Sequence, residues 1–244
     1  MRRVLFTLRG RPVHSYPVML YVAIVLGIYA QLLAARSIGL DTGAVLAATL
    51  IVAAIALFGA RLLFVVPHWR AFSREPGRIL RFAEGGASMY GGVLLAVPMS
   101  VPVLALLGLP FGTYWDTTTF TMLVGLAVGR IGCFLNGCCA GRETHRLGAW
   151  LPNDRGEWKR RIPTQVLEAA WTAVVLAGAV MLWRHQPFAG ALLPYAVGAY
   201  GAGRLVLETL RERQDRVAGF SLQHAISILF VAAGLGTFAI AGWQ

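Results

Sequence analysis

Seven apolar runs constrain this chain more than any other feature. They fall near residues 18–35, 43–66, 86–107, 117–136, 163–183, 189–207 and 220–241 of a 244-residue sequence. A helix needs about 20 predominantly apolar residues to span the hydrocarbon core of a bilayer. In lipid a segment must also satisfy its own backbone donors and acceptors, which a helix does internally. The runs therefore predict an all-α, polytopic membrane protein with seven transmembrane helices, forming one integral membrane domain over residues 1–244. Composition agrees, at 57% hydrophobic and only 14% charged residues, where a soluble domain carries about 25% charged. The first run follows a basic start and exceeds the apolar region of a signal peptide, so it reads as a retained first helix.

The linkers are short except at about 67–85 and about 137–162, both rich in charge with proline or glycine. No internal repeat is visible, which gives an inverted-repeat transporter no support, and no span carries a row of pore-lining polar residues, which argues against a channel. The net charge is +11, and Lys159 is the only lysine among 22 basic residues. In a soluble protein this balance would suggest nucleic acid. In a membrane protein it points to anionic headgroups, because the arginine fork grips a phosphate through two hydrogen bonds. The partners expected are therefore the lipid bilayer and phospholipid, not nucleic acid.

Four segments can carry chemistry. Gly129-Arg130-Ile131-Gly132-Cys133-Phe134-Leu135-Asn136-Gly137-Cys138-Cys139-Ala140-Gly141-Arg142 begins inside the fourth run and enters the longest loop. It puts a cation in an apolar setting, where an unpaired charge is costly, among glycines that let backbone approach a ligand. Glu84-Gly85-Gly86-Ala87-Ser88-Met89-Tyr90-Gly91-Gly92 places Tyr90 between glycine pairs, able either to present backbone N–H groups to a phosphate or to pack helices closely. Arg204, Glu208 and Arg211 stand at i, i+4 and i+7, one helix face, with Tyr200 a turn earlier. Arg161-Ile162-Pro163-Thr164-Gln165-Val166-Leu167-Glu168 reads as a helix start with polar groups at its head. Tyr16 stands before the first run, and Arg61 lies inside the second. Cys133, Cys138 and Cys139 form neither a disulfide framework nor a zinc or CxxC spacing.

In this order, the segments resemble the prolipoprotein diacylglyceryl transferase family over nearly the whole chain. The resemblance rests on Tyr16, Gly59-Ala60-Arg61, Glu84-Gly85-Gly86 with Tyr90-Gly91-Gly92, the Gly129-Arg130-Ile131-Gly132 signature, Pro163-Thr164-Gln165 with Glu168, Arg204 with Glu208, and Gln223. The chain departs from the family pattern at Cys133, where asparagine is usual, at Cys138, where glutamate is usual, and at Tyr16-Pro17, where Tyr-Gly is common. Asn136 and Gly141 are kept.

The resemblance implies transfer of a diacylglyceryl group from phosphatidylglycerol to the lipobox cysteine thiol in a prolipoprotein signal peptide, with release of glycerol phosphate. The helices would surround a lipid-accessible central cavity in the bacterial cytoplasmic (inner) membrane, with the active site facing the outer side. The catalytic group expected is Arg130, Tyr90, Arg204 and Glu208. Substrate contacts are expected from Tyr16, Arg61, Gly91, Gly92, Asn136, Gly141, Arg142, Gln165 and Arg211. Arg130 and Arg204 would hold the phosphate, with Glu208 orienting Arg204; Tyr90, Glu208 and the substrate phosphate are candidates for taking the thiol proton. No cofactor and no metal is expected. The alternatives are a phospholipid-binding paralogue, non-catalytic or of different specificity, and a thiol-redox membrane enzyme using Cys133, Cys138 and Cys139.

Orientation pulls two ways. With alternate loops on opposite sides, 17 of the 22 basic residues share the side of the N-terminus, which the positive-inside rule makes cytoplasmic. The resemblance implies the reverse, N-terminus and signature loop outside. The resemblance outweighs the charge count, because part of the arginine excess would serve anionic headgroups.

Overall fold

The computed structural model describes residues 4–8, 10–66, 69–73, 75, 77, 79, 89–145, 148–152, 156–212, 216–217 and 220–241. In order, a hairpin of β1 (Val4–Leu8) and β2 (Arg11–His14) leads into α1 (Ser15–Ser37), α2 (Thr42–Val65) and the four-residue α3 (Trp69–Phe72). Then come α4 (Met89–Leu106), α5 (Phe111–Asn136), a hairpin of β3 (Ala149–Pro152) and β4 (Trp158–Arg161), α6 (Thr164–Leu182) and α7 (Leu192–Thr209). A short hairpin of β5 (Arg216–Val217) and β6 (Phe220–Ser221) precedes α8 (Leu222–Ala241).

Each of the seven apolar runs is a long helix. Five of them, α1, α2, α5, α6 and most of α8, are long and apolar enough to cross a membrane. The apolar part of α4 is the shorter stretch Gly91–Leu106, and α7 carries Arg204 and Glu208. The chain is thus a multi-pass membrane protein with at least five span-length helices among the described residues. The three antiparallel hairpins are an addition to the all-α expectation. The charged loop at 137–162 contains one of them, pairing Trp150 with Arg160 and Leu151 with Lys159.

The chain forms two compact units, one of residues 1–34 with 115–244 and one of residues 35–114. In the larger unit a core of Ala34, Phe120, Leu123, Val175, Ala179, Leu192 and Ala196 joins α1, α5, α6 and α7. Two polar devices hold it in place of a hydrophobic drive, which lipid does not supply between helices. Buried Gln31 on α1 donates to Thr118 Oγ1 at 3.0 Å and accepts from Thr121 Oγ1 at 2.9 Å on α5. Buried Asp116 accepts from the backbone N–H of Gly190 at 2.6 Å and of Leu192 at 2.8 Å. The Leu192 N–H opens α7, where the first donors have no partner inside the helix, and Gly190 stands in the turn before it.

In the smaller unit α2 and α4 cross at Gly59 and Gly91. A Cβ on either glycine would strike the other's carbonyl oxygen, so two small residues set the closeness of this crossing.

Candidate functional site

Glu168 is the hub of the larger unit's polar interior. It lies on the buried stripe of α6 that runs through Thr164, Gln165, Glu168, Thr172, Val175 and Ala179, and its side chain is 1% exposed. Its Oε1 takes the Arg130 guanidinium of α5 at 2.6 Å and the Tyr200 hydroxyl of α7 at 2.6 Å. Its Oε2 accepts from Arg204 at 3.0 Å and from Arg211 at 3.5 Å. Arg204 also reaches Glu208 at 2.9 Å, one turn along α7, and Arg211 lies 3.9 Å from the same oxygen. Three arginines and two carboxylates therefore form one network, leaving one net positive charge. Buried ions persist only when paired, and this network pairs them by sharing each carboxylate among several cations.

Exposure sorts the network into two layers. Glu168 and Glu208 are closed off, and Arg204 spends donors on both of them. Arg130 and Arg211 keep 19% and 18% of their side-chain surface open. The cationic tips available to a ligand are therefore Arg130 and Arg211, with the carboxylates beneath them.

The end of α5 is built to turn sharply. The N–H of Cys138 donates to the Cys133 carbonyl at 3.2 Å and that of Gly137 to the Phe134 carbonyl at 3.2 Å. This is the Schellman pattern, with Gly137 at φ 74° in the left-handed region where glycine carries no Cβ penalty. Cys139 follows at φ 60°. The next carbonyls are captured by the head of α6: the Gln165 amide donates to Cys138 O at 2.5 Å and the Thr164 hydroxyl to Cys139 O at 2.9 Å.

The chain then runs as an extended ribbon between two neighbours. The N–H of Gly141 donates to Ile162 O at 2.9 Å, and that of Arg142 to Leu210 O at 2.9 Å. A Cβ on Gly141 would stand 2.7 Å from Leu210 O and 2.8 Å from Ile162 O, which is why only glycine fits. This ribbon positions Arg211, which stands past the end of α7 and bridges to Gly141. The expected single helix face of Arg204, Glu208 and Arg211 is thus a helix face for the first two, with ribbon pairing holding the third.

Beside the ribbon, Arg161 is wholly buried, with Glu212 at 2.6 Å and Glu143 at 3.4 Å. Lys159 donates to Glu143 at 2.7 Å. That hydrogen bond holds the Glu143 carboxyl below its ordinary range and the Lys159 ammonium above its own.

The structure brings together, within the larger unit, Arg130, Gln165, Arg204, Glu208, Arg211 and Gly141. Arg142 pairs through its backbone in the same ribbon, and its side chain is exposed. Asn136 ends α5, half-buried. Tyr16 lies in the first turn of α1, its ring facing Gly132 of α5 within electrostatic reach of Arg130 and the three cysteines.

Arg61, Tyr90, Gly91 and Gly92 belong to the smaller unit. Arg61 is buried there, donating to Ile79 O at 2.9 Å and facing the rings of Phe64 and Phe72. Gly91 and Gly92 pack against Gly59 and Ala56 of α2. The backbone of Tyr90 opens α4, while its side chain, like the segment 81–88, lies outside the described residues. The residues the sequence expectation left out are Glu168 as hub, Tyr200 and Arg161. The signal for Glu168 and Arg161 was the polar stripe Arg161, Thr164, Gln165, Glu168 at helical spacing in an otherwise apolar segment; that for Tyr200 was its place one turn before Arg204.

A family profile described as prolipoprotein diacylglyceryl transferase matches residues 3–240. Among curated proteins, the chain is 26% identical over 237 residues to the phosphatidylglycerol–prolipoprotein diacylglyceryl transferase of Streptococcus pyogenes serotype M5 (strain Manfredo), covering 91% of this chain and 88% of that one. The proteins of the same name from serotype M49 (strain NZ131) and serotype M1 give the same identity and coverage.

Proposed function

The chain belongs to the prolipoprotein diacylglyceryl transferase family, and from that membership and the site geometry we propose that it transfers the diacylglyceryl group of phosphatidylglycerol to the lipobox cysteine thiol of a prolipoprotein, releasing glycerol phosphate. The observation that carries the reading is the two-layer network: Arg130 and Arg211 partly open, over Glu168, Glu208 and Arg204. It offers a fixed positive surface inside a membrane protein, suited to a lipid phosphodiester.

In the transfer, the thiolate sulfur attacks the glyceryl carbon that bears the phosphate. A C–S bond forms, the C–O bond breaks, and its electron pair leaves on the phosphate oxygen. The phosphate passes from one negative charge toward two, and Arg130 and Arg211 stabilise the charge that develops. Arg204, held by both carboxylates, is a positioning residue that keeps Glu168 and Glu208 beneath the tips. Tyr16, Asn136 and Gln165 stand around the same helix ends to receive the headgroup and peptide, and Arg142 is the further substrate contact in this unit. A free thiol is only partly ionised near neutral pH. Both buried carboxylates are engaged by arginine, and the candidates for taking the thiol proton stay Tyr90, Glu208 and the substrate phosphate. All seven long helices cross the bacterial inner membrane in this reading, with the N-terminus and the site on the outer side.

The test is purified protein with phosphatidylglycerol and a lipobox peptide, the diacylglyceryl thioether being read by mass spectrometry. Arg130→Ala and Arg211→Ala each remove a donor to the leaving phosphate, and loss of such a donor costs about 100- to 1,000-fold in rate. Folded, lipid-bound protein that yields no thioether, or variants as fast as the parent, would overturn the proposal.

A further inference from the structure

Cys133, Cys138 and Cys139 present three thiol sulfurs within 4.8 Å of one another, and none is in a disulfide. Linear spacing gives no metal motif; the cluster arises from the chain reversal at the end of α5. The Schellman turn at Gly137 carries Cys138 back over the last turn of the helix, where its thiol lies 3.6 Å from the Cys133 carbonyl. The left-handed backbone at Cys139 then swings the third sulfur to the same side. Thr164 and Gln165 clamp the carbonyls of Cys139 and Cys138, so the arrangement is held from outside the cluster.

We propose that these three cysteines form a trithiolate site for a soft, thiophilic cation of the Zn(II) or Cu(I) class, a function beyond diacylglyceryl transfer. Thiolate–metal bonds are about 2.3 Å, so two sulfurs on one ion stand about 3.8–4.0 Å apart in tetrahedral or trigonal geometry. Sulfurs already within 4.8 Å reach that spacing by side-chain rotation alone. Three sulfur donors, joined by no carboxylate or imidazole among the described residues, select soft ions over Mg(II) or Ca(II). Cys133 is buried while Cys138 and Cys139 are half-buried, which leaves one side open for entry. Arg130 stands one turn before Cys133 on α5, so its positive charge offsets the negative charge of the loaded site. Binding one cation releases the thiol protons to solvent, and no oxidant or reductant takes part.

The probe is Cd(II), titrated into the full-length protein in detergent with a phosphine reductant present. The readout is thiolate-to-cadmium charge-transfer absorption, with X-ray absorption of the loaded protein counting sulfur neighbours. One equivalent with three sulfur neighbours is expected, displaced by Zn(II) or Cu(I). Cys133→Ser should weaken binding by about 100-fold or more, since even outer-shell partners are worth about 10- to 100-fold. A variant lacking all three thiols should give no band. Absence of the band in folded parent protein, two or fewer sulfur neighbours, or undiminished affinity in Cys133→Ser would overturn the proposal. Because the parent protein alone supplies the sulfur count, a variant that fails to fold leaves the decision intact. Absorption reads the site independently of transferase activity, so either reading can fail without the other.

Discussion

Glu168→Gln isolates the charge that holds three arginines together. Glutamine keeps the volume of the side chain, so no cavity opens; one buried negative charge is lost. Glu168 Oε1 takes Arg130 and the Tyr200 hydroxyl at 2.6 Å each, and Oε2 takes Arg204 at 3.0 Å and Arg211 at 3.5 Å. The glutamine oxygen can keep the first pair, but its amide then points donors at the Arg204 and Arg211 donors. Breaking a buried ion pair from one side costs about 3–5 kcal/mol. The lower end applies here, because Glu208 still faces Arg204 and Arg211, and Arg130 and Arg211 can turn toward water. About 3 kcal/mol is expected in denaturant titration of the detergent-solubilised protein. A double-mutant cycle with Arg204→Gln should show coupling of about 1–3 kcal/mol, within the range for residues sharing a network. A loss below about 1 kcal/mol, or effects additive within about 0.5 kcal/mol, would refute the claim that Glu168 organises the site.

Asp116→Ala removes the acceptor for the Gly190 and Leu192 N–H groups and should cost about 1–3 kcal/mol, the price of buried donors left unmet, in the same titration. Gly141→Ala drives a Cβ against two backbone carbonyls; overpacking of this kind costs about 1–3 kcal/mol, and displacement of Arg211 should slow thioether formation as well. The Glu143–Lys159 pair sets the pH response of the β3–β4 hairpin. Glu143 has a depressed carboxyl, so its contribution is complete above the ordinary value of 4.5 and is lost as pH falls through the lower folded one. Lys159 is raised, so its contribution is complete below 10.5 and is lost as pH rises beyond it. Amide exchange across the hairpin should therefore be protected evenly through the neutral range, and a change there would contradict the pairing.

The helices were legible because lipid forces each apolar run to be one, and the runs at 43–66 and 117–136 lie close to α2 and α5. The run at 189–207 is observed as 192–209, since a turn at Phe188–Gly190 precedes it and Asp116 caps the helix from 74 residues away. No local pattern reports such a partner. The hairpins were hidden for a different reason: strands of two to five residues carry too little alternation to separate from a charged loop. In the site, Arg204 and Glu208 were readable as one helix face, because spacing alone places them. Their common partner Glu168 lies 36 residues from Arg204, and its polar stripe reads equally well as a helix start. The three cysteines stand within seven residues of one another, but their spacing fits no metal motif, and left-handed backbone at Gly137 and Cys139 brings the sulfurs together.

The two carboxylates also govern what the site releases. A phosphodiester carries one negative charge, and the network presents one net positive charge. The product monoester carries about −1.5 to −2 near neutral pH, so unbacked arginines would hold the product harder than the substrate. A carboxylate behind a guanidinium stands about 7 Å from an anion in front of it, a repulsion of about 2 kcal/mol at an effective dielectric of about 20. Exposure of Arg130 and Arg211 screens part of it, leaving about tenfold in affinity. Glu208→Gln, which removes the charge beside Arg204 and Arg211, should therefore tighten inhibition of thioether formation by added glycerol phosphate by about tenfold, with a smaller change in the apparent KM for phosphatidylglycerol. Inhibition that is unchanged, or tightened equally with KM, would show that the carboxylates hold the arginines in place without setting the balance between substrate and product.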